Sequence, residues 1–120
     1  MRVLLIALLA AILPVSVHAN GFEPITDREE FLSVIKDKDL RIGLYNLTLK
    51  LTPDGQIAGK AMGWDITGAW DWKGGYFCRQ MDWSGKEIDY NCQLVEKRGQ
   101  SELRFTSDKG AGQRAVFRLR

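Results

Sequence analysis

Histidine is almost absent from this sequence, and the one that is present lies in an N-terminal segment that we expect to be removed. His18 is the only imidazole among 120 residues. Residues 20–120 therefore offer no His for general acid–base catalysis, for a Ser-His-Asp triad or for metal binding. Carboxylates, Lys, Arg, Tyr and hydroxyl groups remain, so an enzyme is disfavoured but not excluded.

Charge is also scarce at the N-terminus, where the first nineteen residues have the pattern of a secretory signal peptide. Arg2 gives a positive start, and Val3–Leu13 is an apolar run of eleven residues, too short to span a bilayer, which needs about 20. Small residues immediately before the expected cleavage site predict that the signal peptide is removed after Ala19. We expect a periplasmic protein with 1–19 as signal peptide, 20–120 as one domain, and no stable membrane insertion.

Cysteine is limited to two residues, Cys78 and Cys92. In an exported protein, a pair of this kind typically forms a disulfide. A disulfide leaves neither a thiolate nucleophile nor a Cys-rich zinc site. We therefore expect a Cys78–Cys92 bridge, no metal and no cofactor.

Neither sign of charge dominates, since 17 Lys and Arg oppose 15 Asp and Glu. No nucleic-acid-binding motif is present, so we expect no nucleic-acid partner. A mature chain of 101 residues can bury one modest core. It has no room for a nucleotide-binding domain with a separate substrate domain.

Hydrophobic periodicity predicts a mainly β fold. Thr26–Lys36 combines a capping box with an apolar face, which predicts one short helix. From residue 40 onward apolar and polar residues alternate, as in Arg41–Leu51, with turn residues every 8–12 positions. We expect an α+β, mainly β domain in which the helix packs on a meander of about seven antiparallel strands that forms a barrel or half-barrel.

The two cysteines agree with the register of one predicted hairpin. Its strands, Tyr76–Trp83 and Glu87–Val95, flank a loop centred on Gly85. With that centre, the numbers of paired residues sum to 170. Cys78 then lies opposite Cys92, close enough for a disulfide.

The same register divides the hairpin into two faces. One is mostly apolar, and we expect it to be the core: Tyr76, Cys78, Tyr90, Cys92 and Leu94. The other opposes aromatic to polar groups, a mixture suited to recognition. With Trp72 at its rim, it gives the predicted ligand- or partner-binding residues: Trp72, Phe77, Arg79, Met81, Trp83, Asp89 and Asn91. The alternative is that the helix covers this face and makes Phe77, Met81 and Trp83 part of the core.

Tryptophan is concentrated in one stretch, since all four lie between Trp64 and Trp83. Trp offers flat apolar area and one donor, which suits sugars, rings and protein hot spots. These rings are equally suited to filling the core of a small β domain.

Three runs in the same region carry a resemblance: Gly68-Ala69-Trp70-Asp71-Trp72, Gly74-Gly75-Tyr76-Phe77-Cys78-Arg79 and Asp89-Tyr90-Asn91-Cys92-Gln93. The chain resembles a group of short exported proteins from alphaproteobacteria, some of which carry the name dihydrodipicolinate reductase. That reductase family has a glycine-rich nucleotide loop followed by a helix, and a His-His substrate motif. Here the glycines from Gly55 to Gly63 lie between predicted strands, and residues 20–120 contain no His, so the residues do not support that name.

These features favour a small periplasmic binding or interaction domain that uses a Trp-rich β face. Its partner would be a small molecule or another periplasmic protein, and the sequence does not separate the two. The alternative is a small enzyme that uses Arg, carboxylate and Tyr groups.

Overall fold

The computed structural model describes residues 10–12 and 21–120. The predicted cleavage site after Ala19 and His18 lie outside the described residues, as does most of the predicted signal peptide. Among the residues described, no helix is long and apolar enough to cross a membrane.

One α-helix, α1 (Arg28–Ile35), precedes most of the strands. Its N-cap is Asp27, whose carboxylate accepts a hydrogen bond from the backbone N–H of Glu29 at 2.7 Å. Asp27 lies within the predicted capping-box segment Thr26–Lys36. The apolar face of the helix is buried, including Phe31.

Nine β-strands occur among the described residues. They are β1 (Glu23–Ile25), β2 (Leu40–Ile42), β3 (Leu47–Leu51), β4 (Gln56–Ala61), β5 (Trp64–Lys73), β6 (Tyr76–Trp83), β7 (Lys86–Arg98), β8 (Glu102–Thr106) and β9 (Arg114–Leu119).

Strands β2 to β9 form a closed antiparallel barrel. Each of these strands pairs with the next one along the chain. The last, β9, pairs with β2 and so closes the ring. Strand β1 lies outside this ring and pairs with Val95–Lys97 of β7, beyond the point where β6 begins. The predicted mainly β barrel with one helix is confirmed.

The structure contains more strands than the predicted seven, in part because Arg41–Leu51 is not one strand. A 3₁₀ segment, Gly43–Tyr45, separates β2 from β3, and Asn46 after it has a left-handed backbone with φ of 46°. In the sequence, Gly43 and Tyr45 keep the same two-residue spacing as Leu47, Leu49 and Leu51. Periodicity alone therefore could not show the break.

Phe31 of α1 closes one end of the barrel, which we call the helix end. Its fully buried ring lies 5.0 Å from the ring of Trp72, 5.4 Å from Trp70 and 5.5 Å from Phe77, centre to centre. This aromatic packing holds α1, a helix too short to be stable in isolation. The opposite end of the barrel, which we call the far end, carries the β4–β5 and β6–β7 turns.

The disulfide between Cys78 and Cys92 is present and joins β6 to β7. Paired residue numbers sum to 170 from Phe77 to Arg79, as predicted. Between Arg79 and Met81 the register shifts, and Met81 lies opposite Ile88. The loop is accordingly a two-residue turn, and β7 carries one extra residue as a β-bulge.

The predicted assignment of the two hairpin faces is wrong. Phe77, expected on the binding face, is 4% exposed, and its ring packs inside the barrel against Phe31 and Phe105. Tyr90, expected in the core, is 53% exposed on the outside. Alternation tells which side chains share a face of a strand. Which face lies inside is decided by barrel closure, through strands distant in sequence.

Candidate functional site

The interior of the barrel holds a cavity of about 180 Å³. Its wall comes from strands on all sides, and it is mostly apolar. The lining residues are Leu40, Leu49, Leu51, Ile57, Phe77, Arg79, Met81, Gln93, Phe105, Ala115 and Phe117. Arg79 and Gln93 are the only residues of this lining with polar side chains.

The barrel wall is incompletely paired beside this cavity. Strand β8 ends at Thr106, opposite Leu94, so no described strand pairs with the second edge of β7 from Lys86 to Gln93. Strand β9 pairs with β2 through Leu119 and Arg118, and backbone hydrogen bonds between Asp39 and Arg120 extend this short contact. Gln93 and Ala115 of the cavity belong to these two sparsely paired strands. Strand pairing around the barrel is therefore least extensive on this side of the cavity.

Arg79 is the charged group of the cavity. It stands on β6, opposite Trp70 on one side and Asn91 on the other. Its Nη1 donates a hydrogen bond to the backbone carbonyl of Asp89. Burial lowers the pKa of the Arg79 guanidinium from its ordinary value, although an arginine remains protonated in proteins. The site therefore holds a positive charge in partly apolar surroundings.

Asn91 holds a loop against the sparsely paired edge of β7. Its Nδ2 donates to Oδ1 of Asp108 at 2.7 Å, and the backbone N–H of Asp108 donates to Oδ1 of Asn91 at 2.9 Å. Nearby, Nε2 of Gln93 donates to Oγ of Ser107 at 3.4 Å. The segment after β8 is thus fixed beside the cavity by side-chain contacts rather than by strand pairing.

The predicted binding residues fall into several places. Phe77, Arg79 and Met81 line the cavity. Asn91 holds the adjoining loop, and Asp89 has an exposed side chain while its backbone carbonyl accepts from Arg79. The hairpin face that we expected to meet a ligand is therefore turned toward the barrel interior.

The two predicted Trp residues lie at opposite ends of the barrel. Trp72 stacks on Phe31 at the helix end, and its Nε1 donates to the carbonyl of Thr26 at 3.2 Å. Trp83 lies at the far end, where its Nε1 donates to the carbonyl of Ala61 at 3.2 Å. The helix covers only the first of these ends, so the alternative of a helix-covered face applies to Phe77 and not to the whole strand. None of the four Trp lines the cavity.

Sequence reasoning missed most of the apolar wall. Leu40, Leu49, Leu51, Ile57, Phe105, Ala115 and Phe117 come from β2, β3, β4, β8 and β9. The period-two alternation showed that such residues share a face of their own strands. It carried no information on which strands meet across the barrel.

Comparisons with protein-family models, with curated proteins and with solved structures found no match to this chain. The residues in the described ranges contain no group of three or more His, Cys, Asp or Glu side chains placed to hold a metal ion.

Proposed function

We propose that this protein binds one small, largely apolar molecule inside its barrel. The observation that carries the proposal is the cavity of about 180 Å³, in which nine of the eleven lining residues are apolar. Protein interiors are close-packed and contain few spaces larger than a water molecule. A cavity of this size in a 101-residue domain therefore calls for an explanation.

The energetic cost of such a cavity supports a functional role. Empty apolar space in a core forfeits packing contacts, and closed cavities left by truncated core side chains cost about 24 cal/mol per Å³. Small domains have a free energy of unfolding of only about 5–15 kcal/mol in total. A larger side chain in place of Ala115 would recover part of this loss, so the retained space favours a ligand as its occupant.

The volume limits the size of that ligand. An engineered apolar cavity of about 150 Å³ holds benzene, so the present one fits a molecule of about six to ten non-hydrogen atoms. We also propose a periplasmic location, because the Cys78–Cys92 disulfide is compatible with an oxidising compartment.

The proposal is tested with 1-hexanol as the probe. Thermal unfolding and two-dimensional NMR measure whether hexanol binds. At about five times Kd, binding adds about 1 kcal/mol of stability and raises Tm by about 4–8 °C. Ala115→Leu fills part of the cavity, so it should stabilise the unliganded protein by about 1–2 kcal/mol and remove the response to hexanol.

The matched control is Ala69→Leu, which adds the same side chain to an exposed position on β5. This variant should keep the hexanol response of the natural protein. The proposal fails if hexanol neither raises Tm nor shifts the resonances of cavity residues, or if Ala115→Leu responds to hexanol as strongly as Ala69→Leu does.

A further inference from the structure

Arg79 lacks the acidic partner that Arg104, another partly buried arginine, has. Arg104 forms an ion pair with Glu96 at 3.0 Å, and the two side chains are only 11% and 14% exposed. No carboxylate within the described ranges forms an ion pair with Arg79, and desolvation alone perturbs its pKa. A guanidinium taken partly out of water without a counter-charge is unfavourable unless something else supplies that charge.

The β-bulge in β7 orients this guanidinium. The extra residue lies where Gln80 of β6 faces Asp89 and Tyr90, immediately after the Arg79–Asn91 pair. The backbone carbonyl of Asp89, at the bulge, accepts a hydrogen bond from Nη1 of Arg79. Bulges interrupt the strand ladder and often lie next to functional sites, where they redirect a side chain. Here the bulge supplies the fixed contact that holds Arg79 in the cavity wall.

Most of the hydrogen-bonding capacity of Arg79 is still available. A guanidinium has five N–H donors in a planar fork, and one bond to Asp89 accounts for one of them. A planar carboxylate accepts two parallel bonds from such a fork and carries one negative charge. A phosphate monoester carries nearly two negative charges, and the cavity lining contains no second cation to balance them.

We propose that the ligand is a small organic acid whose carboxylate binds Arg79 and whose hydrocarbon part fills the apolar cavity. This inference rests on the proposed function, because it needs the cavity to bind a ligand. Gln93, the second polar side chain of the lining, stands on the neighbouring strand with its amide directed to Ser107. Gln93 lies on the part of β7 whose second edge has no described strand partner, so both polar side chains of the lining belong to the β6–β7 hairpin.

The test compares three probes of equal chain length, hexanoate, 1-hexanol and hexylamine, by calorimetric or NMR titration at neutral pH. Charge-assisted hydrogen bonds are the stronger class. Hexanoate should therefore bind the natural protein about 10- to 100-fold more tightly than hexanol, and hexylamine should bind more weakly than either.

Two variants assign the preference to Arg79. Arg79→Met keeps an unbranched side chain without charge, and it should bind hexanoate no more tightly than hexanol. Arg79→Lys keeps the charge without the planar fork, and it should retain part of the preference. The matched control is Arg114→Met on the exposed outer face of β9, which should leave both affinities unchanged.

The outcomes separate the two proposals. Equal affinities for hexanoate and hexanol, or a preference that survives Arg79→Met, would overturn the assignment of an organic acid and leave the cavity as a binding site. Failure of all three probes to bind would overturn the proposed function itself.

Discussion

Arg79 and Arg104 are both partly buried, and they differ in what stabilises the charge. Arg104 has Glu96 as its partner. Around Arg79, burial without an acidic partner lowers the pKa of the guanidinium, which means that folding disfavours its charged form. Desolvation of the Arg79 charge is therefore an unfavourable contribution in the unliganded protein, as is common for groups placed to recognise a ligand.

Opposite stability effects should follow when each arginine is replaced by leucine. Arg79→Leu removes a desolvated charge and adds apolar contact, so the free energy of unfolding should stay within about 1 kcal/mol or rise. Arg104→Leu leaves Glu96 buried without a partner and should lower the free energy of unfolding by about 3 kcal/mol. Urea denaturation of both variants measures these values. A loss of more than about 2 kcal/mol in Arg79→Leu would show that Arg79 has a structural role.

At the scale of the element, two glycines set the curvature of the barrel wall. A Cβ added to Gly59 on β4 would lie 2.0 Å from the carbonyl oxygen of Thr48, and one added to Gly68 on β5 would lie 2.3 Å from that of Gln80. Backbone atoms cannot yield as the end of a flexible side chain can. The adjacent strands approach so closely at these points that only glycine fits.

Gly59→Ala and Gly68→Ala should therefore each destabilise the protein by at least about 2 kcal/mol, because the strands must separate to admit the methyl group. Gly43→Ala is the control, since a Cβ at that position meets no atom within 4 Å, and it should change stability by less than about 1 kcal/mol. Thermal unfolding compares the three variants. Similar Tm values for Gly68→Ala and Gly43→Ala would contradict this account of the barrel wall.

The β6–β7 hairpin shows how far sequence reasoning extends at this scale. The predicted register placed Cys78 opposite Cys92, and the structure has that pair. The predicted three-residue loop is a two-residue turn, however, and the bulge at Asp89–Tyr90 restores the register before the cysteines. Two local differences cancel, so the disulfide was predicted correctly although the turn was not.

The candidate site was predictable only where local information sufficed. The hairpin pattern grouped Phe77, Arg79 and Met81 on one face, and these three line the cavity. The pattern could not show that this face is the interior, nor that Leu40 and Phe117 lie across from it, because those contacts come from strands far away in sequence. Trp72 and Trp83 were included for their residue type, and their positions at the two ends depend on the packing of α1 and of the turns.

At the scale of the whole molecule, the disulfide lies on the outer face of the hairpin whose inner face lines the cavity. Phe77 and Arg79 on either side of Cys78 line the cavity, so strand alternation places Cys78 on the outer face. Its side chain is buried there, with 2% exposed. The bridge joins residues 14 apart. Stabilisation by such a bridge comes mainly from restricting the unfolded chain, so the bridge should contribute to stability without shaping the ligand site.

Replacing both cysteines with alanine should lower the free energy of unfolding by about 3 kcal/mol, the value expected for a loop of this length. Affinity for hexanol should remain unchanged at temperatures where both proteins are folded. Chemical denaturation and titration measure the two quantities separately. A large loss of affinity in the folded double variant would show that the bridge also shapes the cavity.

The pairing of the barrel has a consequence for the order of folding. Strands β3 to β7 are joined by consecutive hairpins, whereas closure of the ring requires β2 to meet β9. The pairing of β1 with β7, outside the ring, also joins segments separated by more than 65 residues of chain. Contacts distant in sequence form late, because loop-closure entropy must be overcome before they stabilise the structure. β1 and β2 contain three residues each, and β2 meets β9 through two strand pairs and the adjoining backbone hydrogen bonds between Asp39 and Arg120. We therefore expect the local hairpins to form the folding nucleus, and the β2–β9 seam to form last and to open first.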